Sequence, residues 1–291
     1  MKRSKNFEGH TLILSIASGK GGTGKTTVAV NMAISLKNVQ LLDCDVEEPN
    51  AHLFLHPKIT ETKPVYVKIP VIDEKNCNYC RECAKFCKFN ALFITNRKIM
   101  FFPELCSSCG GCTIVCPENA INEKKRKIGT VKKGSAKGIE LVYGELNVGE
   151  PMAPPIIKAV KKQVHQLKKV DTIIDAPPGT SCPVIEAVHG SDYTILVTEP
   201  TPFGLYDLKI AVEVLSKLKI PFCVVVNRAG IGDKKVHAFC REKAIPILLE
   251  IPYDRKIAEL YSIGKPFVLE MPEWKKKFRG LLDKVKESLQ V

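Results

Sequence analysis

Two groups of residues in this chain have the types and spacing to do chemistry. The first is Ser18-Gly19-Lys20-Gly21-Gly22-Thr23-Gly24-Lys25-Thr26-Thr27. Glycines in such a run let backbone N–H groups turn inward onto phosphate oxygens, and a following helix adds the positive end of its dipole. In that arrangement Lys25 holds the β/γ-phosphates and the Thr26 hydroxyl takes a place on Mg²⁺. The flanks suit it. Residues 12–17 form an apolar run of strand length, and residues 28–36 read as a helix. The second group is cysteine. Cys77, Cys80, Cys83 and Cys87 have the spacing C-x2-C-x2-C-x3-C, and Cys106, Cys109, Cys112 and Cys116 repeat it. Each run continues alike, with Asn90-Ala91-Leu92 after the first and Asn119-Ala120-Ile121 after the second. This is an internal duplication.

Lys20, early in the glycine-rich loop, narrows the reading. Lys20-Gly21-Gly22-Thr23-Gly24-Lys25-Thr26 resembles the deviant phosphate loop of the MinD/Mrp ATPases, which include the nitrogenase iron protein. The resemblance implies that Gly19, Lys20, Gly21, Gly22, Thr23, Gly24, Lys25, Thr26 and Thr27 bind ATP or ADP. It implies that Lys20 reaches across a dimer to the partner subunit's nucleotide and supplies positive charge in trans, as an arginine finger does. Residues 39–45 read as a second strand, ending in Asp43 and Asp45. Asp45 takes the position of the family's essential aspartate, near the attacking water and Mg²⁺; Asp43 is expected to be structural. Lys20, Lys25 and Asp45 are thus the candidate catalytic residues. Residues 46–50 resemble a switch segment. Asp175 ends an apolar strand just before Ala176-Pro177-Pro178-Gly179 and would hold Mg²⁺ through water, beside Thr26 and Asp45. Asn227 stands where the family's asparagine hydrogen-bonds adenine. Ile251-Pro252-Tyr253-Asp254 resembles the loop that lies against the adenine ring, with Pro252 in it.

The duplicated cysteine runs resemble the bacterial two-cluster ferredoxin. In that module three thiolates of each run wrap one cubane and the fourth ligates the other cluster. The resemblance assigns Cys77, Cys80, Cys83 and Cys116 to one 4Fe-4S cluster, and Cys87, Cys106, Cys109 and Cys112 to the second. Zinc sites pair two cysteines with two further ligands, which two complete four-cysteine runs do not suit. The family pattern is broken at one turn, where Lys88 rather than proline follows Cys87.

The elements that must position these residues alternate as strand and helix outside the cysteine region. The fold class expected is α/β: a doubly wound, mostly parallel P-loop ATPase sheet, interrupted by an inserted α+β ferredoxin module. The expected divisions are residues 1–66 and 127–291 for the ATPase and 67–126 for the insert. A helix is expected over 156–168, and strands over 139–143, 171–175, 193–198, 222–228 and 245–250. The basic residues of 124–137 read as a solvated hairpin or linker. Cys182 reads as a buried small residue, with a free thiol in the switch region as the alternative. The last helix, about 272–289, puts Trp274, Phe278, Leu281, Val285 and Leu289 on one face. It reads as a closing helix of the sheet, with membrane contact as the lesser alternative.

The chain has 291 residues, is 45% hydrophobic and carries a net charge of +13. It has no apolar run near the length of a membrane span, and no signal core follows its basic start, so a cytoplasmic protein is expected. Its twelve cysteines then point to metal rather than disulfides. No nucleic-acid motif accompanies the charge, so the expectation is a generally basic surface. The expected partners are a second copy of the chain or a paralogue, and a redox or iron–sulfur acceptor protein. Within the resemblance three functions arise: nucleotide-switched electron transfer, iron–sulfur assembly or carriage, and membrane-associated positioning.

Overall fold

Apolar runs without polar alternation become central strands here because helices cover both faces of the sheet. All six residues of one such strand, Tyr193–Thr198, are buried, as are all four of another, Gln40–Asp43. The computed structural model describes residues 11–96, 98–164 and 170–289. In chain order the elements are β1 (Ile13–Ala17), α1 (Lys25–Leu36), β2 (Gln40–Asp43), α2 (Ala51–Leu55), β3 (Lys58–Ile72), α3 (Glu82–Phe86), β4 (Leu92–Ile94), β5 (Ile99–Phe101), α4 (Gly111–Ile114), β6 (Ile121–Ala136) and β7 (Ile139–Leu146). There follow α5 (Pro154–Lys161), β8 (Thr172–Asp175), α6 (Cys182–Val188), β9 (Tyr193–Thr198), α7 (Pro202–Leu218), β10 (Phe222–Ala229), α8 (Lys235–Glu242), β11 (Ile247–Pro252), α9 (Arg255–Ser262) and α10 (Glu273–Leu289).

Among the described residues one nine-stranded sheet runs β11-β10-β9-β1-β8-β2-β7-β6-β3, and β4 pairs with β5 in a separate hairpin. The pairs from β11 through β7 are parallel, whereas β6 and β3 are antiparallel additions at one edge. The fold is therefore α/β with a large, mostly parallel sheet. The connection from β8 to β9 passes over β1, which opens a crevice at the carboxyl ends of these strands, where ligands bind in sheets of this kind.

One face of the sheet carries α1 and α10. Trp274, Phe278, Leu281 and Val285 are buried there with Phe267, whose ring meets Trp274 edge-on at 5.5 Å. The guanidinium of Arg279 donates to the Ser35 carbonyl at 2.9 Å, satisfying an acceptor in the last turn of α1. Buried Asn31 is also satisfied, accepting from Val268 N–H at 3.0 Å and donating to the Thr27 carbonyl at 2.8 Å. The apolar face of α10 is spent in the core and is not offered to a membrane. No helix among the described residues is long and apolar enough to cross one.

Three expectations need correction. Residues 124–137 follow the hairpin alternative and not the linker, but are only partly solvated: they lie mostly in β6, which turns into β7 at Ala136↔Ile139, pairs with β3 from Lys58↔Ser135 to Ile72↔Ile121, and buries Ile128 and Val131. Next to the expected divisions at 66/67 and 126/127 the register shifts, from Val65 opposite Gly129 to Tyr66 opposite Lys127, and pairing then continues with Val67 opposite Arg126. The helix expected over 156–168 is α5 and stops at Lys161; residues 165–169 lie outside the described residues. Cys182 is exposed at the start of α6 rather than buried.

The α1–α10 contact gives a direct test. Phe278→Ala removes a fully buried ring and should cost about 3–5 kcal/mol in denaturant unfolding. Loss below about 1 kcal/mol would mean that α10 does not close this core.

Candidate functional site

The glycine-rich loop leaves β1 and enters α1 through Gly24, which has φ +93° and stands just before Lys25. A side chain there is excluded twice. The backbone is left-handed, and a Cβ would fall 2.3 Å from the Asn227 side-chain nitrogen. Gly19 is fixed by close approach instead, since a Cβ would sit 2.2 Å from the Asp207 carbonyl oxygen of α7. Gly21, Gly22, Gly24, Lys25, Thr26 and Thr27 line a cleft of about 340 Å³. Asp45, Glu48 and Asn50 of the segment after β2 also line it, as do Pro178, Asn227 and Pro252. The Gly179 N–H donates to the Ser18 carbonyl at 3.1 Å, tying the Pro177-Pro178 turn to the loop.

Three carboxylates converge at the ends of β2 and β8, and two of them, Asp45 and Asp175, feel the charge of Lys25. Asp43 is fully buried; its oxygens accept the N–H groups of Asp45 at 3.1 Å and of Asn50 and Ala51, both at 3.0 Å. It therefore organises the chain, as its structural reading expected. Burial and then the charge of neighbouring Asp175 push its pKa well above the ordinary range. Asp175 sits opposite Asp43 in the β2–β8 register, and neither of its buried carboxylate oxygens has a hydrogen-bond partner. Burial raises its pKa too. The Thr26 hydroxyl and the Lys25 ammonium favour the charged form, without completing a hydrogen bond to it. Asp45 is raised to about 6, chiefly by burial, against the pull of Lys25. A buried carboxylate with no donor, flanked by a hydroxyl and a second carboxylate, is a donor set for a hard, oxygen-seeking cation. Thr26, Asp45 and Asp175 thus fit Mg²⁺.

Lys20 lies 4.0 Å from Glu199, whose other oxygen is 2.6 Å from Arg228. Sequence reasoning gave Glu199 no role. A lone acid after β9 has meaning only once the fold brings two cations to it. The Asn227 amide donates to the Thr23 carbonyl at 2.8 Å and faces the cleft. Tyr253, Ile257, Ala258 and Tyr261 wall the same end of the cleft; the helix α9 supplies three of them, and sequence reading had singled out none of those three.

The cysteines gather away from this cleft. Cys77, Cys80, Cys83 and Cys116 line one pocket, and Cys87, Cys106, Cys109 and Cys112 line another. Each pocket thus draws its fourth thiol from the other run. Among the described residues no three side chains of the metal-binding types come close enough to grip a single ion; the thiols border a pocket rather than a point. The two halves repeat each other in detail. The N–H groups of Tyr79 and Ser108 donate to Cys77 and Cys106 sulfur, both at 3.4 Å. Those of Ala91 and Ala120 donate to Cys87 and Cys116 sulfur, both at 3.3 Å. Asn90 and Asn119 both take positive φ, which the short asparagine side chain tolerates. Burial raises the Cys83 thiol to about 11 and raises Cys112 as well. A sulfur-seeking cluster would relieve that cost by binding the thiolate.

The raised acids give a pH-dependent prediction for the nucleotide-free protein. Asp45 is raised from an ordinary 3.8 to about 6, so the folded state holds the proton more tightly than the unfolded one. Its contribution to stability is present below the lower value and is lost as pH rises to the upper. Asp45→Asn should therefore raise the melting temperature above pH 6 and change little near pH 4; the shift corresponds to about 3 kcal/mol in stability, reduced toward about 1 kcal/mol by solvent screening at this partly exposed group. Thermal unfolding in EDTA across that range measures it. A variant destabilised equally at both ends contradicts the burial argument.

Comparison with known proteins agrees with this geometry. The model of the CobQ/CobB/MinD/ParA nucleotide binding domain matches residues 14–267. An uncharacterized protein of Methanocaldococcus jannaschii is 35% identical over 262 residues, spanning 88% of this chain and 91% of that protein. An iron-sulfur cluster carrier protein of Pyrococcus horikoshii is 26% identical, spanning 95% and 86%. The septum site-determining protein MinD of Pyrococcus horikoshii, solved with Mg-ADP, superposes with a TM-score of 0.57 at 23% identity, covering 95% of this chain and 96% of that one. The chain belongs to the CobQ/CobB/MinD/ParA family of nucleotide-binding domains.

Proposed function

We propose that this protein hydrolyses ATP and couples a nucleotide-driven dimer switch to electron transfer through two 4Fe-4S clusters. The observation that carries the reading is the pair of four-thiol pockets borne on β3 and β6. One of those strands follows directly from the segment that lines the nucleotide cleft. In this reading the loop from Gly19 to Thr27 cradles the phosphates. Asn227 and the wall at Pro252 take the base, and Thr26, Asp45 and Asp175 hold Mg²⁺. Held there, Mg²⁺ would supply positive charge to the Asp45 and Asp175 carboxylates, whose pKa values burial raises. Asp45 orients the attacking water. Lys20 leaves Glu199 to serve the nucleotide of a second copy, so hydrolysis requires the dimer. Residues 67–126 act as a ferredoxin module, and the electron partner is a separate redox protein.

A second reading, cluster carriage to an acceptor protein, is favoured by the relatives named as iron–sulfur cluster carriers. The last two cysteines of the chain form no pair for a bridging cluster. Cys223 and Cys240 are both buried, and they sit in separate cores on opposite faces of the sheet.

Anaerobic purification with iron and sulfide analysis, then EPR of the reduced protein with and without ATP, separates the two readings. Retained clusters whose spectra or potentials respond to nucleotide support the switch. Clusters that depart to mature an apo-protein support carriage. For the trans lysine, Lys20→Ala should bind ATP normally and lose about 10³-fold or more in turnover. Normal turnover by that variant would remove Lys20 from the reaction.

A further inference from the structure

The two thiol pockets differ in what else lines them. The pocket of Cys77, Cys80, Cys83 and Cys116 takes its polar lining from the cysteine segments themselves, through Asn78, Arg81 and Glu118. The pocket of Cys87, Cys106, Cys109 and Cys112 has Lys68 of β3 and Glu123 of β6 in its wall. These two form an ion pair, Nζ to Oε2 at 3.0 Å. The other Glu123 oxygen lies against the cysteine loop, only 3.3 Å from where a Cβ on Gly110 would stand. Lys125 is directly across the ladder from Lys68, so the diagonal bond to Glu123 also offsets the repulsion of two like charges on one face.

The pair therefore belongs to the ladder and not to the repeat. Only His56 and Pro57 separate β3 from α2, and Asp43 holds the first N–H groups of α2. The chain from α2 into β3 is therefore a short covalent route from the nucleotide cleft to Lys68. At the other pocket the ladder offers only Ile72 and Ile121, which carry no charge.

We infer that the Lys68–Glu123 pair tunes the reduction potential of the cluster held by Cys87, Cys106, Cys109 and Cys112, and makes that cluster the one whose potential follows the nucleotide state. This rests on the reading that the thiols hold clusters. Each cluster gains one electron from a low-potential donor protein, for which dithionite substitutes in vitro. The ammonium of Lys68 favours the added negative charge and the Glu123 carboxylate opposes it. Moving β3 against β6 changes the balance at one pocket only.

The test is an EPR-monitored redox titration of the full-length, anaerobically purified protein, wild type and two variants, with and without Mg²⁺ and a non-hydrolysable ATP analogue. Two potentials are expected. Lys68→Met should lower one, Glu123→Gln should raise that same one, and the other should stay fixed. The analogue should displace the potential that the variants displace, by less in Lys68→Met. The responsive signal should survive in Cys80→Ala, which removes a thiol from the other set. Variants that shift both potentials, shift neither, or shift one in the same direction overturn the inference, as does a nucleotide effect on the other signal. Loss of the responsive signal in Cys80→Ala overturns it too. A wild-type protein without iron and sulfide overturns the cluster reading beneath it, which the other outcomes leave standing.

Discussion

The structure depends on what holds Asp43. A fully buried carboxylate is costly, and this one has a second, Asp175, across the register from it. Three backbone N–H groups offset the cost, from Asp45, Asn50 and Ala51. Those bonds fold the segment after β2 back on itself and start α2. A helix of five residues does not form unaided, so the start of α2 exists by virtue of this carboxylate. The same segment presents Asp45, Glu48 and Asn50 to the cleft. Any cation that changes the charge around Asp43 and Asp175 is therefore felt first at α2.

From α2 the chain enters a strand that no ordinary edge would tolerate. β3 is long, exposed over much of its length and paired on one side only. Such an edge invites pairing with other chains unless it is blunted. Pro64 and Pro70 remove donors from it, and Lys58, Lys63 and Lys68 put charge along it. Its partner β6 is fastened to the sheet by ion pairs: Arg126 with Glu150 at 2.8 Å, Lys132 with Glu145 at 2.7 Å and Lys133 with Glu140 at 3.1 Å. Part of the basic charge that the composition left unplaced is thus structural. The ring of Tyr143, beneath Lys132, stacks on His52 of α2 at 4.8 Å, so the foot of the ladder and the helix it follows share one contact.

What the sequence made legible was whatever recurs at fixed spacing or must be apolar throughout. The phosphate loop, the parallel strands and the duplicated cysteines all read that way, including the exchange of Cys87 and Cys116 between pockets. What it hid was set by long-range geometry. β3 and β6 leave the sheet, so their outer parts have no buried face to impose alternation, and prolines and lysines then read as loop. Cys182 was read as buried because small thiols usually are, yet it opens a short helix at the surface. Glu199 and Tyr261 act with residues far away in the chain, and no local pattern marks either of them.

The repeat itself argues for where asymmetry enters. Tyr79 and Ser108, Arg81 and Gly110, and Asn90 and Asn119 take matching left-handed conformations. Arg81 does so although a long side chain disfavours that conformation, whereas its counterpart is glycine. The backbone of the two halves is thus held alike even where the residues disagree. The matched backbones do not make matched pockets. Within the repeat, Arg81 and Glu118 put charge beside one thiol set. The ladder puts the Lys68–Glu123 ion pair beside the other and meets the first only with Ile72 and Ile121, so the strands that carry both pockets also help to tell them apart.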